Sequence, residues 1–159
     1  CVYISVFLGL SEYFSMPSPE YIHHLYPTET FLEALEHLYE DAFISKSILV
    51  CLNDDAVKEY AVALGEKNHT VIPAFHARAL EVFRETPNTI LIVSLERLNR
   101  FPLRALVSAG WNAFMAVDVP SYHLDAVFKN IMELHRNGVG IGGGCGADDG
   151  DIHLLWFLH

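Results

Sequence analysis

The middle of this chain alternates short apolar blocks with longer stretches in which apolar residues recur every three or four positions. Ser47–Asn53 is an apolar run that closes on a polar residue, the pattern of a strand buried on both faces. Asn53 is a good helix N-cap, and Asp54 and Asp55 suit the positive end of the helix dipole. Val57, Tyr60, Ala61 and Leu64 then follow at i, i+3, i+4 and i+7, which predicts an amphipathic helix over 54–64. Gly65 and Asn68 are stop and turn signals. Lys67–Pro73 turns into a second strand. Ala79–Phe83 precedes a third, Thr89–Ser94, and a fourth lies within Ala113–Pro120. Pro102 starts a short helix through Ala109, stopped by Gly110. Ser121 caps a last helix through Arg136, whose apolar face is Leu124, Val127, Phe128, Ile131 and Leu134. Asp151–Leu158 is a final strand.

The N-terminal part is less regular. Val2–Leu10 reads as a strand, and Ser11–Pro27, with Pro17, Pro19 and Pro27, reads as a loop with one helical turn at most. Residues 1–28 therefore form an N-terminal extension of strand plus loop. Thr30-x-x-Glu33 forms a capping box for a helix that places Phe31, Leu35, Leu38 and Tyr39 on one face and ends near Ile44. Strands alternating with helices predict an α/β fold, a doubly wound, mainly parallel sheet in a single domain spanning 1–159.

The 159 residues suit one domain with a substantial core, and 52% of them are hydrophobic. No apolar run reaches the ~18 residues of a membrane span, so no membrane role is expected. The first apolar stretch lacks the basic flank of a signal peptide. The chain starts at Cys1 without a Met, which points to a segment of a longer protein. Three widely spaced cysteines, Cys1, Cys51 and Cys145, argue against a disulfide framework and fit a reducing, cytoplasmic setting. Cys51 lies in an apolar strand and reads as a packing residue.

Charge changes the functional picture more than composition does. The formal net charge is −10, with 10 basic and 20 acidic residues. Affinity for nucleic acid comes largely from Lys and Arg neutralising phosphates. Strong autonomous RNA binding is therefore not expected, and DNA binding is not expected at all. The one basic cluster of note is Arg97, Arg100 and Arg104.

The order of these elements resembles the C-terminal RecA-like domain of DEAD-box and related RNA helicases, over roughly Phe31 to Leu158. Val50–Asn53 matches a strand of the type I-F-x-N-T, and Val71–His76 matches V-x-x-x-H-G in part. Leu91–Leu95 stands where the family carries L-V-A-T-D, and Arg97–Pro102 where it carries A-A-R-G-L-D. The resemblance implies that Asn53, Ser94, Arg97 and Arg100 are the vestige of an RNA-contacting edge. It also shows where the chemistry breaks. Leu95 and Pro102 replace acidic residues, and Arg100 replaces a glycine where the backbone turns closely. Asp118–Pro120 is present, but nine residues on, Lys129–Arg136 replaces H-R-x-G-R-x-G-R, with Asn130 and Glu133 on the arginine positions. Those arginines stabilise charge on the transferred phosphoryl group, and a glutamate would repel it.

Degenerate domains of this kind occur in Tudor-domain helicase-like proteins of the piRNA pathway, including the Yb-type proteins of insects. That resemblance implies a scaffold in cytoplasmic, perinuclear RNA granules that self-associates, as a homodimer, or docks another protein, with RNA contact weak or indirect. No catalytic residue and no cofactor is expected. The alternative is the second RecA-like half of an active ATP-dependent helicase with divergent motifs. A third reading is an unrelated flavodoxin-like or Rossmann-like binding module.

The remaining motifs add little. Gly138–Gly143 satisfies G-x-G-x-x-G but follows a helix and precedes a strand, the reverse of a dinucleotide loop. Among nine histidines, the His23–His24 pair matches no zinc spacing. Asp148, Asp149 and Asp151 lack the ligand ladder of a calcium loop, and Cys145 stands among acids that raise a thiol pKa. No metal is expected. Phe101, Trp111 and Trp156 lie outside the clearest helix faces and read equally as core residues or as part of an apolar contact surface.

Overall fold

The computed structural model describes the backbone of residues 2–8, 22–27, 30, 32–33, 35–36, 44–117, 119, 130 and 152–158. Side chains are described mainly between 44 and 117. Seven strands form one sheet: β1 (Val2–Leu8), β2 (Ile22–Pro27), β3 (Ser47–Cys51), β4 (Val71–Pro73), β5 (Ile90–Ser94), β6 (Ala113–Val117) and β7 (Ile152–Leu158). Their order is β2-β7-β1-β6-β3-β5-β4, and every neighbouring pair is parallel. Between β3 and β6 the described residues form four helices: α1 (Asp54–Glu66), α2 (Ala79–Glu85), α3 (Leu95–Leu98) and α4 (Leu103–Val107). This is the expected α/β parallel architecture.

The three central strands explain why it forms. Every residue of β3, β5 and β6 is buried. Side chains alternate between faces along a strand, so both faces need a cover. On one face Leu49, Cys51, Ile90, Ile92, Met115 and Val117 join Val57 and Leu64 of α1 and Leu35 in a single cluster. Ile48, Val50, Leu91, Val93, Phe114 and Ala116 point the other way. There Phe83 of α2, Leu98 of α3 and Leu106 of α4 are buried. Trp111 stacks obliquely on Phe114 at 5.6 Å between ring centroids.

Two polar residues lock the second layer. Lys46 is buried, and its Nζ donates to the carbonyls of Arg84 (3.2 Å) and Ala109 (3.3 Å) while lying 4.4 Å from the centre of the Phe83 ring. A cation thus joins the C-terminal end of α2 to the segment just after α4, where helix dipoles favour positive charge. Asn112 accepts from the Ser45 N–H and donates its own N–H to the Lys46 carbonyl, tying the approach to β3 to the approach to β6.

Several expectations need correction. Residues 22–27 are a strand, not part of a loop; β2 pairs with β7 alone at the sheet edge. An edge strand forms hydrogen bonds on one side only, and Ile22–Pro27 shows no apolar alternation to reveal it. Helix α1 runs two residues past Leu64, through Gly65, and the reversal falls on Asn68 at φ 67°. Ser94 to Leu98 contains a short capped helix that the resemblance left unassigned. Trp111 is fully buried and donates its Nε1–H to the Leu106 carbonyl at 2.7 Å, so it is a core residue and no part of a contact surface. The Thr30 cap is present: its hydroxyl accepts from the Glu33 N–H at 3.2 Å. The helix expected at 121–136 lies outside the described residues except for Asn130, which is helical and exposed. The glycine loop 138–150 lies outside them too, as do the side chains of Trp156, His23 and His24.

At the other edge, β4 is three residues long. The Thr70 carbonyl and the Ala74 N–H both bond to β5, at 3.0 and 2.8 Å. Alternation along a parallel strand then turns the backbone groups of Val71 and Pro73 outward. Pro73 has no N–H, and its carbonyl already accepts from the Phe75 N–H at 3.1 Å.

Burial holds the Lys46 ammonium below its ordinary pKa of 10.5. The unfolded chain therefore keeps that proton more tightly, and stability should rise as pH climbs from the folded value towards 10.5. Denaturation of wild type and Lys46→Met across that range should show the wild type gaining on the variant. A constant difference would show that Lys46 does not titrate differently in the two states.

Candidate functional site

In a doubly wound sheet, ligands meet the C-terminal ends of the strands where successive connections diverge. Here that point lies between β3, whose chain leaves towards β4, and β6, whose chain leaves towards β7. The ends of β3 and β5 bring three of the four expected RNA-contact residues together. Ser94 and Arg97 meet at the carboxylate of Asp54, and Asn53 caps the helix that this residue begins.

Each of the three is already engaged. Asn53 Oδ1 accepts from the Ala56 N–H at 2.9 Å and caps α1. Ser94 Oγ accepts from the Arg97 N–H at 3.3 Å and caps α3. Arg97 grips Asp54 side-on: Nε lies 3.0 and 3.2 Å from the two carboxylate oxygens, and Nη2 lies 2.9 Å from Oδ2. Its Nη1 donates to the Phe75 carbonyl at 2.8 Å. The guanidinium also lies 5.7 Å from the centre of the Phe75 ring, with Lys58 Nζ at 5.9 Å from it. A bidentate arginine–carboxylate pair is strong and directional. It ties the start of α1 to α3 and to the loop after β4.

Arg100 stands apart. It is exposed and pairs with Glu96 one turn away at 2.8 Å, an arrangement that contributes little by itself. Arg104 is exposed on α4. Leu95, expected in place of an acidic residue, is buried, and Pro102 is the exposed N-cap of α4. Glu133 and Arg136 lie outside the described residues.

Beside the pair is a cleft of about 190 Å³ lined by Ala74, His76, Ala77, Arg97, Arg100 and Phe101. It opens at the ends of β4 and β5, displaced from the divergence between β3 and β6. Sequence reasoning missed Asp54, Phe75 and His76 as parts of one site. Asp54 signals only a favourable helix start, and its partner is 43 residues away. Among the described residues no helix is long and apolar enough to cross a membrane. No three potential metal ligands gather among them either.

The hydrogen bond from Arg97 is the main cause that holds the Asp54 carboxyl below its ordinary value of 3.8; partial desolvation opposes it and Ser94 assists. A carboxylate so depressed stabilises the fold fully above 3.8, and that contribution is lost as pH falls through the folded value. In Arg97→Ala, an NMR titration should move the Asp54 carboxyl back up towards 3.8; an unchanged titration would contradict the pairing. Asn53→Ala should cost about 1 kcal/mol through the lost cap, in the absence of any ligand. Unaltered melting would show that Asn53 is free for another task.

No protein-family model, curated protein or solved structure matches this chain.

Proposed function

We propose that this chain is a non-catalytic, helicase-C-like interaction module that docks a partner protein or a second copy of itself, with RNA contact weak or indirect. The observation that supports this reading is the internal pairing of Arg97 with Asp54 at the strand ends. An anion seeking Arg97, the Ser94 hydroxyl and the start of α1 would have to displace Asp54, which is covalently part of the same helix. Asp55 adds a second negative charge at that helix start. A nucleotide phosphate is poorly served by this arrangement, because helix N-termini hold anions only where their N–H groups and positive field are free.

The balance of charge points the same way. Arg97 is neutralised by Asp54 and Arg100 by Glu96, and the chain carries a net −10. Two of the three arginines in the expected basic cluster thus already face a carboxylate, which weakens their part in releasing counterions from a polyanion. The setting implied by the resemblance, a scaffold in perinuclear piRNA granules, suits a domain that assembles proteins and has no turnover of its own.

Calorimetry with Mg-ATP should show no binding. Sedimentation across a concentration series should report either a dimer or a monomer that awaits a hetero-partner. Binding of ATP at micromolar concentration would overturn the proposal. RNA affinity should be weak and fall steeply with salt, and losing Arg100 should lower the logarithmic salt slope by about one unit. Tight RNA binding at physiological salt would also overturn the proposal.

A further inference from the structure

We propose that the cleft between the β4–α2 loop and the α3–α4 turn receives a carboxylate-bearing side chain of a partner protein. The proposal rests on the interaction-module reading and names the chemistry of the partner.

The cleft combines a fixed donor with a mobile one. Arg97 is held on three sides, by the two oxygens of Asp54 and by the Phe75 carbonyl. Of its five N–H groups, one on each terminal nitrogen has no bond among the described residues, while the group itself lines the cleft. Such a guanidinium loses little freedom when it accepts a further acceptor, so its hydrogen bonds come at low entropic cost. Arg100, across the cleft, has most of its side chain in solvent, 67% exposed, and is free to turn from Glu96 to a new carboxylate. Ala74 and Ala77 leave room between them, and Phe101 offers an apolar wall to the methylenes of the incoming side chain.

Size and charge select the occupant. Pockets for small ligands and cofactors run from about 300 Å³ upward, and this cleft is about 190 Å³, the scale of one side chain. Its two arginines are balanced by Asp54 and Glu96, so the local field is weak and does not steer a polyanion. Recognition here depends on directed hydrogen bonds at short range, which suits a single carboxylate with an aliphatic stem better than a phosphate chain.

The test is an NMR titration of the 159-residue chain with capped Ala-Glu-Ala, its Gln counterpart and an oligouridylate. The Glu peptide should shift the amides of Ala74, Ala77 and Phe101 saturably. Gln in its place, or Arg100→Ala in the protein, should weaken binding about tenfold, the loss of one charge-assisted hydrogen bond. Ala77→Leu should block the cleft. Ala77 and Arg100 are exposed, so both variants should keep the wild-type spectrum elsewhere. Absence of shifts, or equal shifts from the Glu and Gln peptides, overturns the proposal. Shifts from the oligouridylate alone give the cleft to RNA. Shifts that follow protein concentration without peptide give it to a second copy. None of these results touches ATP binding, so failure of the cleft is distinct from failure of the interaction-module reading.

Discussion

Three adjacent strands with no solvent on either face set the terms for everything else in this chain. β3, β5 and β6 carry apolar side chains in both directions, so neither layer of helices is optional. The face under α1 closes through Leu49, Ile92 and Met115 against Val57 and Leu64. The other face closes through shorter helices, which are too brief to hold themselves together. There the buried Lys46 ammonium and the Trp111 indole supply the bonds that short helices lack. Polar groups are used where apolar area is thin, and each finds a backbone partner as burial requires.

The same economy governs the strand ends. Asn53 and Ser94 resemble ligand-contacting residues by position, yet in this chain each caps the helix that begins beside it. Arg97 serves as a clamp between α1, α3 and the loop after β4. A cap and a clamp stabilise the fold: Asn53 Oδ1 and Ser94 Oγ accept backbone N–H groups, and Arg97 donates to Asp54 and to the Phe75 carbonyl. The Asp54 carboxylate is the point on which the clamp closes. The neighbouring cleft inherits a guanidinium fixed in place as a by-product.

Legibility in the sequence followed burial and locality. β3, β5 and α1 are readable because their signals are contained in a few consecutive residues: an unbroken apolar run, or an N-cap followed by a 3.6-residue period. β2 is hidden because its pairing partner lies at the far end of the chain and its own residues do not alternate. The α3 turn is hidden because four residues carry no period. Trp111 is misleading alone; its burial depends on Phe114 and Leu106, which only the folded chain brings near. The ends of β3 and β5 are recognisable as the meeting place of Asn53, Ser94 and Arg97, but the Asp54–Arg97 pair is not, since nothing local distinguishes a dipole-favouring aspartate from a bidentate partner.

The closed rim at β4 has a consequence for how copies of this domain can gather. Sheets that join edge to edge grow without limit and bind through backbone alone, so they tolerate most sequence changes and are hard to dissolve. With Pro73 lacking a donor and its carbonyl turned to Phe75, that rim offers a newcomer only the groups of Val71. Assembly from this side must therefore run through side chains, whose contacts are finite, stereospecific and reversible. Such contacts break and re-form singly, and one substitution is enough to change what they accept.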